Sequence, residues 1–307
     1  MKVICSSEES LYRPEVYRWR ERMELMNPIG EVVVILPCSM KKPYSNSKSH
    51  QKFRRATKGY QEVILTSPFG ICPREMENTF PINSYDVTVS GDWSFEEKKL
   101  AGELLKDYVK DKNVIANVSG GYEEVCIEYL DDVIYTAKEG RPTSNDSIYN
   151  LRTELKNYKK VKGRDRLINE LRSIAIYQFG VDGKNFISDN TIAKGMYHRR
   201  IFTESKQIAL LNKDTGFYSL RLPGGELLYD LGINIIEIDF ELKTNTLFSP
   251  GIEKADNNII PNDEVVIVRD DEVVGVGKAV LTGKEMEKSG NGVAVKVKDR
   301  KNNFIYY

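Results

Sequence analysis

Cysteine is scarce in this sequence and histidine scarcer: 307 residues hold four of the first and two of the second. Cys5, Cys38, Cys72 and Cys126 are far apart and form no CxxC pair. Neither a closed zinc site nor a disulfide framework is expected, no metal is called for, and the thiols are read as reduced. No run of about 18 apolar residues occurs and the N-terminus lacks the apolar core of a signal peptide, so a membrane association is excluded and a cytoplasmic location expected. Dinucleotide fingerprints and phosphate-binding P-loops are also missing, so no nucleotide cofactor is implied. Finally, neither sign of charge is in excess: 45 Lys and Arg balance 45 Asp and Glu. Any nucleic-acid surface must then be a local patch rather than a global field. What is present, 40% hydrophobic and 29% charged residues, is the composition of a soluble globular chain with about two or three domains.

The N-terminal part predicts an α/β domain. Proline at the start of 14–23, followed by apolar residues three and four apart, predicts an amphipathic helix whose Arg18, Arg20 and Arg22 form a solvated face. The β-branched run 31–36 then reads as a strand buried on both faces. Residues 61–66, 86–90 and 113–118 read as three more strands, each followed by a short polar loop and most by helical sequence. Ser94 and Glu97 fit a capping box for a helix from Phe95 to about Lys110. Such a pattern predicts a three-layer parallel sheet with its loops, and hence its ligand site, on one rim.

Directly past the first strand, Pro37-Cys38-Ser39-Met40-Lys41-Lys42-Pro43-Tyr44-Ser45-Asn46-Ser47-Lys48-Ser49-His50 gathers a thiol, ammonium groups, a phenol, serines and an imidazole. Composition alone also allows a solvated basic loop here. Written as Pro-Cys, three residues, Lys-Pro-Tyr, two residues, Ser, two residues, His, the stretch resembles the signature of the archaeosine synthase family, archaeal tRNA-modifying enzymes. Leu65-Thr66-Ser67-Pro68-Phe69-Gly70 with Pro73-Arg74-Glu75, and Tyr85-Asp86 with Gly91-Asp92-Trp93, continue the resemblance in register. Members of that family are commonly longer, with an N-terminal barrel resembling a tRNA-guanine transglycosylase, so the chain resembles a short form. The resemblance implies a fold like that of uracil-DNA glycosylase, which holds an extruded base. It also implies a lysine transferase reaction: addition of the amine of free lysine to the nitrile of 7-cyano-7-deazaguanine in tRNA. No catalytic aspartate is evident in Cys38-Ser39-Met40, so glycosidic cleavage is not expected.

For that chemistry Cys38, Lys42, Tyr44, Ser47 and His50 are the candidate catalytic residues. Cys38 either attacks the nitrile first, with Lys41 or Lys42 lowering its pKa, or stands by while the amine attacks directly. His50, in the first turn of the following helix, is the candidate acid or base, its pKa depressed by free backbone N–H groups. Tyr44 and Ser47 are placed to hydrogen-bond the base and Lys42 to steady negative charge. Ser67, Pro68, Arg74, Glu75, Asp86 and Trp93 are candidates for substrate binding; solvated acids and a packed core tryptophan are the alternatives. Tyr122 is weighed as a base-stacking ring against a packed aromatic. Cys5, Cys72 and Cys126 are read as small buried hydrophobes.

The rest of the chain predicts RNA binding. After a turn-rich boundary at 138–150, residues 151–179 read as one basic helix carrying Lys160, Lys162 and Arg164, a phosphate rail or a solvated face. Residues 180–232, with Arg199 and Arg200, look like a small α+β module. From 247 onward, close-spaced strand signals with Gly, Asp and Pro turns predict a small β-barrel and resemble the PUA domain, an RNA grip in which Gly251 lets a phosphate approach the main chain. The expected architecture is thus α/β at 1–145, a basic helix and α+β module at 146–232, and an all-β PUA barrel at 233–307. Its expected partners are tRNA and free lysine, with a transglycosylase-like or radical-enzyme protein alongside. A non-catalytic tRNA-binding subunit is the alternative.

Overall fold

A computed structural model describes residues 3–5, 8–86 and 92–301. The chain divides into two compact units, 1–173 and 174–307. In the first, the strands and helices in order are β1 (Val3–Ile4), α1 (Pro14–Met23), β2 (Val32–Pro37), α2 (Lys48–Ala56), β3 (Gln61–Thr66), β4 (Gly70–Pro73), β5 (Tyr85–Asp86), α3 (Phe95–Tyr108), β6 (Asn113–Ala116), α4 (Gly121–Tyr129), β7 (Val133–Tyr135), α5 (Asn145–Leu155) and α6 (Gly163–Phe179), the last of which runs past the boundary at 173. Five strands form one sheet in the order β4-β3-β2-β6-β7. The pairs β3–β2, β2–β6 and β6–β7 are parallel, and β4 is an antiparallel edge.

This order follows from burial. Val33, Val34, Ile35 and Leu36 of β2 are wholly buried, as are Val63, Ile64 and Leu65 of β3. Strands so apolar on both faces need helices on both sides. The connection from β2 to β3 moves one way across the sheet, and those from β3 to β6 and β6 to β7 move the other way. Right-handed crossovers therefore put α2 on one face and α3 and α4 on the other. The packing agrees, with α3 against α4 and α2 against α5.

Several expectations are revised. Residues 70–73, expected as loop, form the antiparallel edge strand, whose pairing runs from Val63–Pro73 to Thr66–Gly70. Of the expected strand 86–90, only Asp86 is described; it pairs with Ile4 in a separate two-stranded ladder, and 87–90 lie outside the described residues. Arg20, expected in solvent, is buried, because its guanidinium donates to the Pro68 carbonyl at 3.1 Å and the Leu11 carbonyl at 2.7 Å. The single helix expected over 151–179 is two, since the chain turns at 156–158 after α5, and Val161 N–H then pairs with the Gly59 carbonyl at 2.8 Å. The Ser94–Glu97 capping box is present and starts α3.

The second unit holds a four-stranded antiparallel sheet, β8 (Ile192–Lys194), β9 (Arg199–Thr203), β10 (Lys206–Leu211) and β11 (Tyr218–Leu220), in the order β11-β10-β9-β8. After α7 (Leu222–Asp230) come β12 (Ile235–Glu237), β13 (Thr246–Phe248), β14 (Lys254–Ala255), β15 (Glu264–Arg269), β16 (Glu272–Ala279), α8 (Gly283–Lys288) and β17 (Val293–Arg300). These strands form one six-stranded sheet around a core of Ile236, Leu247, Val265, Ile267, Ala294 and Val295. Among the described residues no helix is long and apolar enough to cross a membrane.

Candidate active site

The strand order reverses between β2 and β6, and ligands of open α/β sheets bind beyond the carboxyl ends of strands at such a point. Cys38 directly follows β2, and Tyr122 lies in the first turn of the helix that follows β6. Across the crevice the Cys38 Sγ and Tyr122 Oη are 2.9 Å apart, in a hydrogen bond that either atom can donate. The Trp93 ring stands edge-on to that of Tyr122, with centroids 5.1 Å apart. Burial pushes the Cys38 thiol up from its ordinary pKa; the Tyr122 hydroxyl and Lys42 pull it down and are outweighed. The lowering expected from a neighbouring lysine is thus real in direction but smaller than the cost of burying a thiolate. Burial also holds the Lys42 ammonium below its usual pKa. Its Nζ donates to the Ser39 carbonyl at 2.5 Å and lies 4.1 Å from the centroid of the Tyr85 ring.

Beneath the thiol runs a chain of hydroxyls. Tyr44 Oη meets Tyr85 Oη at 2.7 Å, and Tyr85 Oη meets Thr66 Oγ1. Thr66 also bears on Cys38, lowering its pKa. Tyr44 and Thr66 are fully buried and Tyr85 nearly so. A phenol taken out of water needs such a partner. The sequence reading placed Tyr44 here but missed Tyr85, Thr66 and the Tyr122–thiol contact. A polar residue ending a buried strand was the available signal for Thr66; nothing in the sequence marks the tyrosine pairings.

His50 and Ser47 stand behind this surface. Ser47 caps α2, its Oγ accepting the His50 N–H at 3.2 Å. The His50 ring is fully buried beside Tyr44 and Phe53. Arg74 Nη2 lies 2.7 Å from Nδ1. A guanidinium only donates, so Nδ1 accepts and the ring proton sits on Nε2. The imidazole pKa is pushed down to about 2, first by burial and then by Arg74, with the Pro37 carbonyl opposing. The depression expected from the helix start is present, with a different principal cause. Because the folded pKa lies below the ordinary 6.5, the ring is neutral in both states and neither adds nor removes stability above pH 6.5; below it the unfolded chain takes a proton that the folded chain refuses, and stability falls toward pH 2. His50 alone then removes about 1.4 kcal/mol of stability per pH unit below 6.5. Urea unfolding at pH 7 and pH 5 checks this: His50→Gln flattens the pH dependence by that slope, and an unchanged slope contradicts it.

Arg74, read from sequence as substrate-binding, is tied on its other side to buried carboxylates. Its Nε meets Glu62 at 2.5 Å and its Nη1 meets Glu77 at 3.0 Å. Glu77 also accepts from the Ser45 N–H at 2.8 Å, which anchors the motif loop. Glu75 accepts from Gln61 and Asn169, each at 2.8 Å, and burial raises its pKa. Arg74 and Glu75 line a cleft of about 730 Å³ whose wall also includes Arg54, Arg55, Lys58 and Arg166. Cys38, Lys42 and Tyr122 do not line it.

The other predicted residues are dispersed. Ser67 is buried, its hydroxyl donating to Glu97, and the Pro68 carbonyl receives Arg20. Asp86 is exposed and acts to raise the pKa of Lys42. Lys160, Lys162 and Arg164 are exposed, with Lys160 Nζ 5.9 Å from the Tyr60 ring centroid. Arg199 and Arg200 lie on β9 of the second unit. Gly251 is pressed against Phe240, where a Cβ would come within 2.3 Å of the ring. A side chain there would have to displace the outer edge of the partly exposed Phe240 ring, a packing reason for glycine that is independent of any phosphate. All four cysteines are buried and free.

Comparison with known proteins gives the chain its relatives. Residues 16–155 match the family described as a domain of unknown function, DUF5591, and residues 235–300 match the PUA domain. Archaeosine synthase of Methanocaldococcus jannaschii is 40% identical over 98% of this chain and 55% of its own length. Archaeosine synthase subunit alpha of Thermococcus kodakarensis is 39% identical over 97% of this chain and 56% of its own. The crystal structure of AF0587, a protein of unknown function, superposes with a TM-score of 0.75 at 29% identity, covering 93% of this chain and all of that one. The chain spans about half the length of the curated relatives it matches. It is a homologue of the archaeosine synthases over nearly its whole length, with a DUF5591 domain and a C-terminal PUA domain.

Proposed function

We propose that this chain acts in archaeosine biosynthesis in the cytoplasm, adding the amine of free lysine to the nitrile of 7-cyano-7-deazaguanine in tRNA. The observation that carries this reading is the meeting of Cys38, Lys42, Tyr122 and Trp93 at the switch point of the sheet, in a chain that also carries a PUA domain. Residues 1–145 are the catalytic part, with a base-holding pocket of the uracil-DNA glycosylase kind. Residues 146–232 and the PUA domain at 233–307 hold the RNA, and the name subunit alpha borne by one relative favours a protein partner.

In the covalent form of the reaction the thiol adds across the nitrile: an S–C bond forms and the proton goes to nitrogen, giving a thioimidate. The lysine amine then adds to the same carbon, the C–S bond breaks, and the thiol is regenerated beside an amidine. Lys42 supplies an N–H to the nitrogen that gains charge, and Tyr122 hands a proton to or from sulfur. Asp86, exposed on the same rim, receives the second ammonium of the incoming lysine. His50 and Ser47 position the loop.

The test is mass spectrometry of nucleosides from tRNA bearing the cyano base, incubated with the protein and isotopically labelled lysine. A labelled lysine adduct is the expected product. Absence of adduct with tRNA still bound transfers the reading to a non-catalytic tRNA-binding subunit.

A further inference from the structure

One corner of the four-stranded sheet in the second unit combines unneutralised charge with exposed aromatic surface. Lys194 and Arg200 are cross-strand partners in β8 and β9, and both are exposed. Like charges directly opposite each other weaken an antiparallel pair. Among the described residues neither makes an ion pair; Lys194 Nζ lies instead 5.3 Å from the centroid of the Phe202 ring. The turn between these strands is tight: Gly195 has φ +105°, and a Cβ there would come within 2.8 Å of the His198 carbonyl oxygen. Only glycine adopts that conformation without strain. The turn carries Met196 and Tyr197 into solvent, 88% and 68% exposed. The turn between β10 and β11 is tied to it, since the Lys213 N–H donates to His198 Nδ1 at 3.3 Å. Lys213 Nζ lies 4.3 Å from the Tyr197 ring centroid. Asp214 is the acid of that second turn, and the first has none.

We propose that this corner grips an unpaired RNA nucleotide, its base stacked on Tyr197 and its flanking phosphates between Lys194, Arg200 and Lys213. The inference rests on the RNA-binding part of the reading above. A like-charged cross-strand pair is relieved by an anion placed between its members, and a phosphodiester supplies one at each nucleotide. An exposed ring flanked by ammonium and guanidinium groups is the chemistry of a single-strand platform, where the bases stack and cations follow the backbone. Duplex RNA offers the same charge but keeps its bases stacked within the helix. The corner therefore discriminates in favour of single strands.

The experiment is fluorescence anisotropy of the full chain with a labelled unstructured RNA oligonucleotide and with a blunt RNA duplex of equal phosphate count, across a salt series. Tyr197→Ala is expected to weaken single-strand binding about tenfold or more and to leave duplex binding unchanged. Tyr197→Phe restores it. Arg200→Ala is expected to reduce the slope of log affinity against log salt by about 0.7 on the single strand. Tyr197 is exposed, so melting temperatures of its variants should match the parent. Single-strand affinity and salt slope unchanged in both alanine variants overturn this inference alone, as does equal loss on both RNAs for Tyr197→Ala. Failure of the parent chain to bind either RNA overturns both this inference and the RNA-binding reading.

Discussion

Arg74→Ala lowers the free energy of unfolding by about 3–5 kcal/mol, because it strips a buried carboxylate pair of the one cation that binds it among the described residues. Glu62 and Glu77 are each 6% exposed at the side chain, and both bind the one guanidinium. Without it the two charges are left uncompensated, Glu77 loses part of what fixes its grip on Ser45, and His50 Nδ1 loses its donor. Guanidinium chloride unfolding at pH 7 measures the loss. In a background of Glu62→Gln and Glu77→Gln the same substitution costs much less, since the uncompensated charge is gone. A loss below about 1 kcal/mol in the parent chain contradicts the account. Arg74 thus does its work by holding the motif loop, whichever ligand enters the adjoining cleft.

Cys38→Ala lowers lysine transfer by more than about a thousandfold if sulfur forms the bond to the nitrile, since the covalent route disappears. Lys42→Met removes one donor from the nitrogen that gains charge and costs about 10²–10³ in rate. The raised thiol pKa adds a signature. Below that pKa the thiolate fraction grows about tenfold per pH unit, so the parent rate climbs with pH through the neutral range. Single-turnover rates from pH 6 to 9 with labelled lysine give both results. Retention of activity within a few-fold by Cys38→Ala, with Lys42→Met still impaired, assigns direct attack by the amine and leaves the thiol a packing group.

How much of this was legible differs from residue to residue. The buried strands at 32–37 and 61–66 follow from β-branched runs, and the Ser94 capping box from local spacing. The PUA barrel was announced by its turns and the resemblance of its motifs. The edge strand Gly70–Pro73 was not, because two prolines and a glycine around it carry the signal of a loop, and its ladder depends on β3 alone. Within the site, Cys38 and Lys42 follow from lying past a strand end. His50, attractive as a titrating group, turns out to be sealed in the core, since sequence does not reveal which face of a nine-residue helix is covered. Tyr122 and Tyr85 reach the thiol surface from 84 residues away and through Thr66, separations that no local pattern encodes.

The row of Tyr44, Tyr85 and Thr66 has a consequence beyond holding three buried oxygens in place. In each of its two hydrogen bonds either oxygen can be the donor, with Tyr85 in the middle, so the row can point from Tyr44 to Thr66 or the other way. Reversing all its protons turns the dipole of the row end for end while every heavy atom stays where it is. A charge on Cys38 would favour one of these two directions over the other, because Thr66 at the end of the row bears on the thiol.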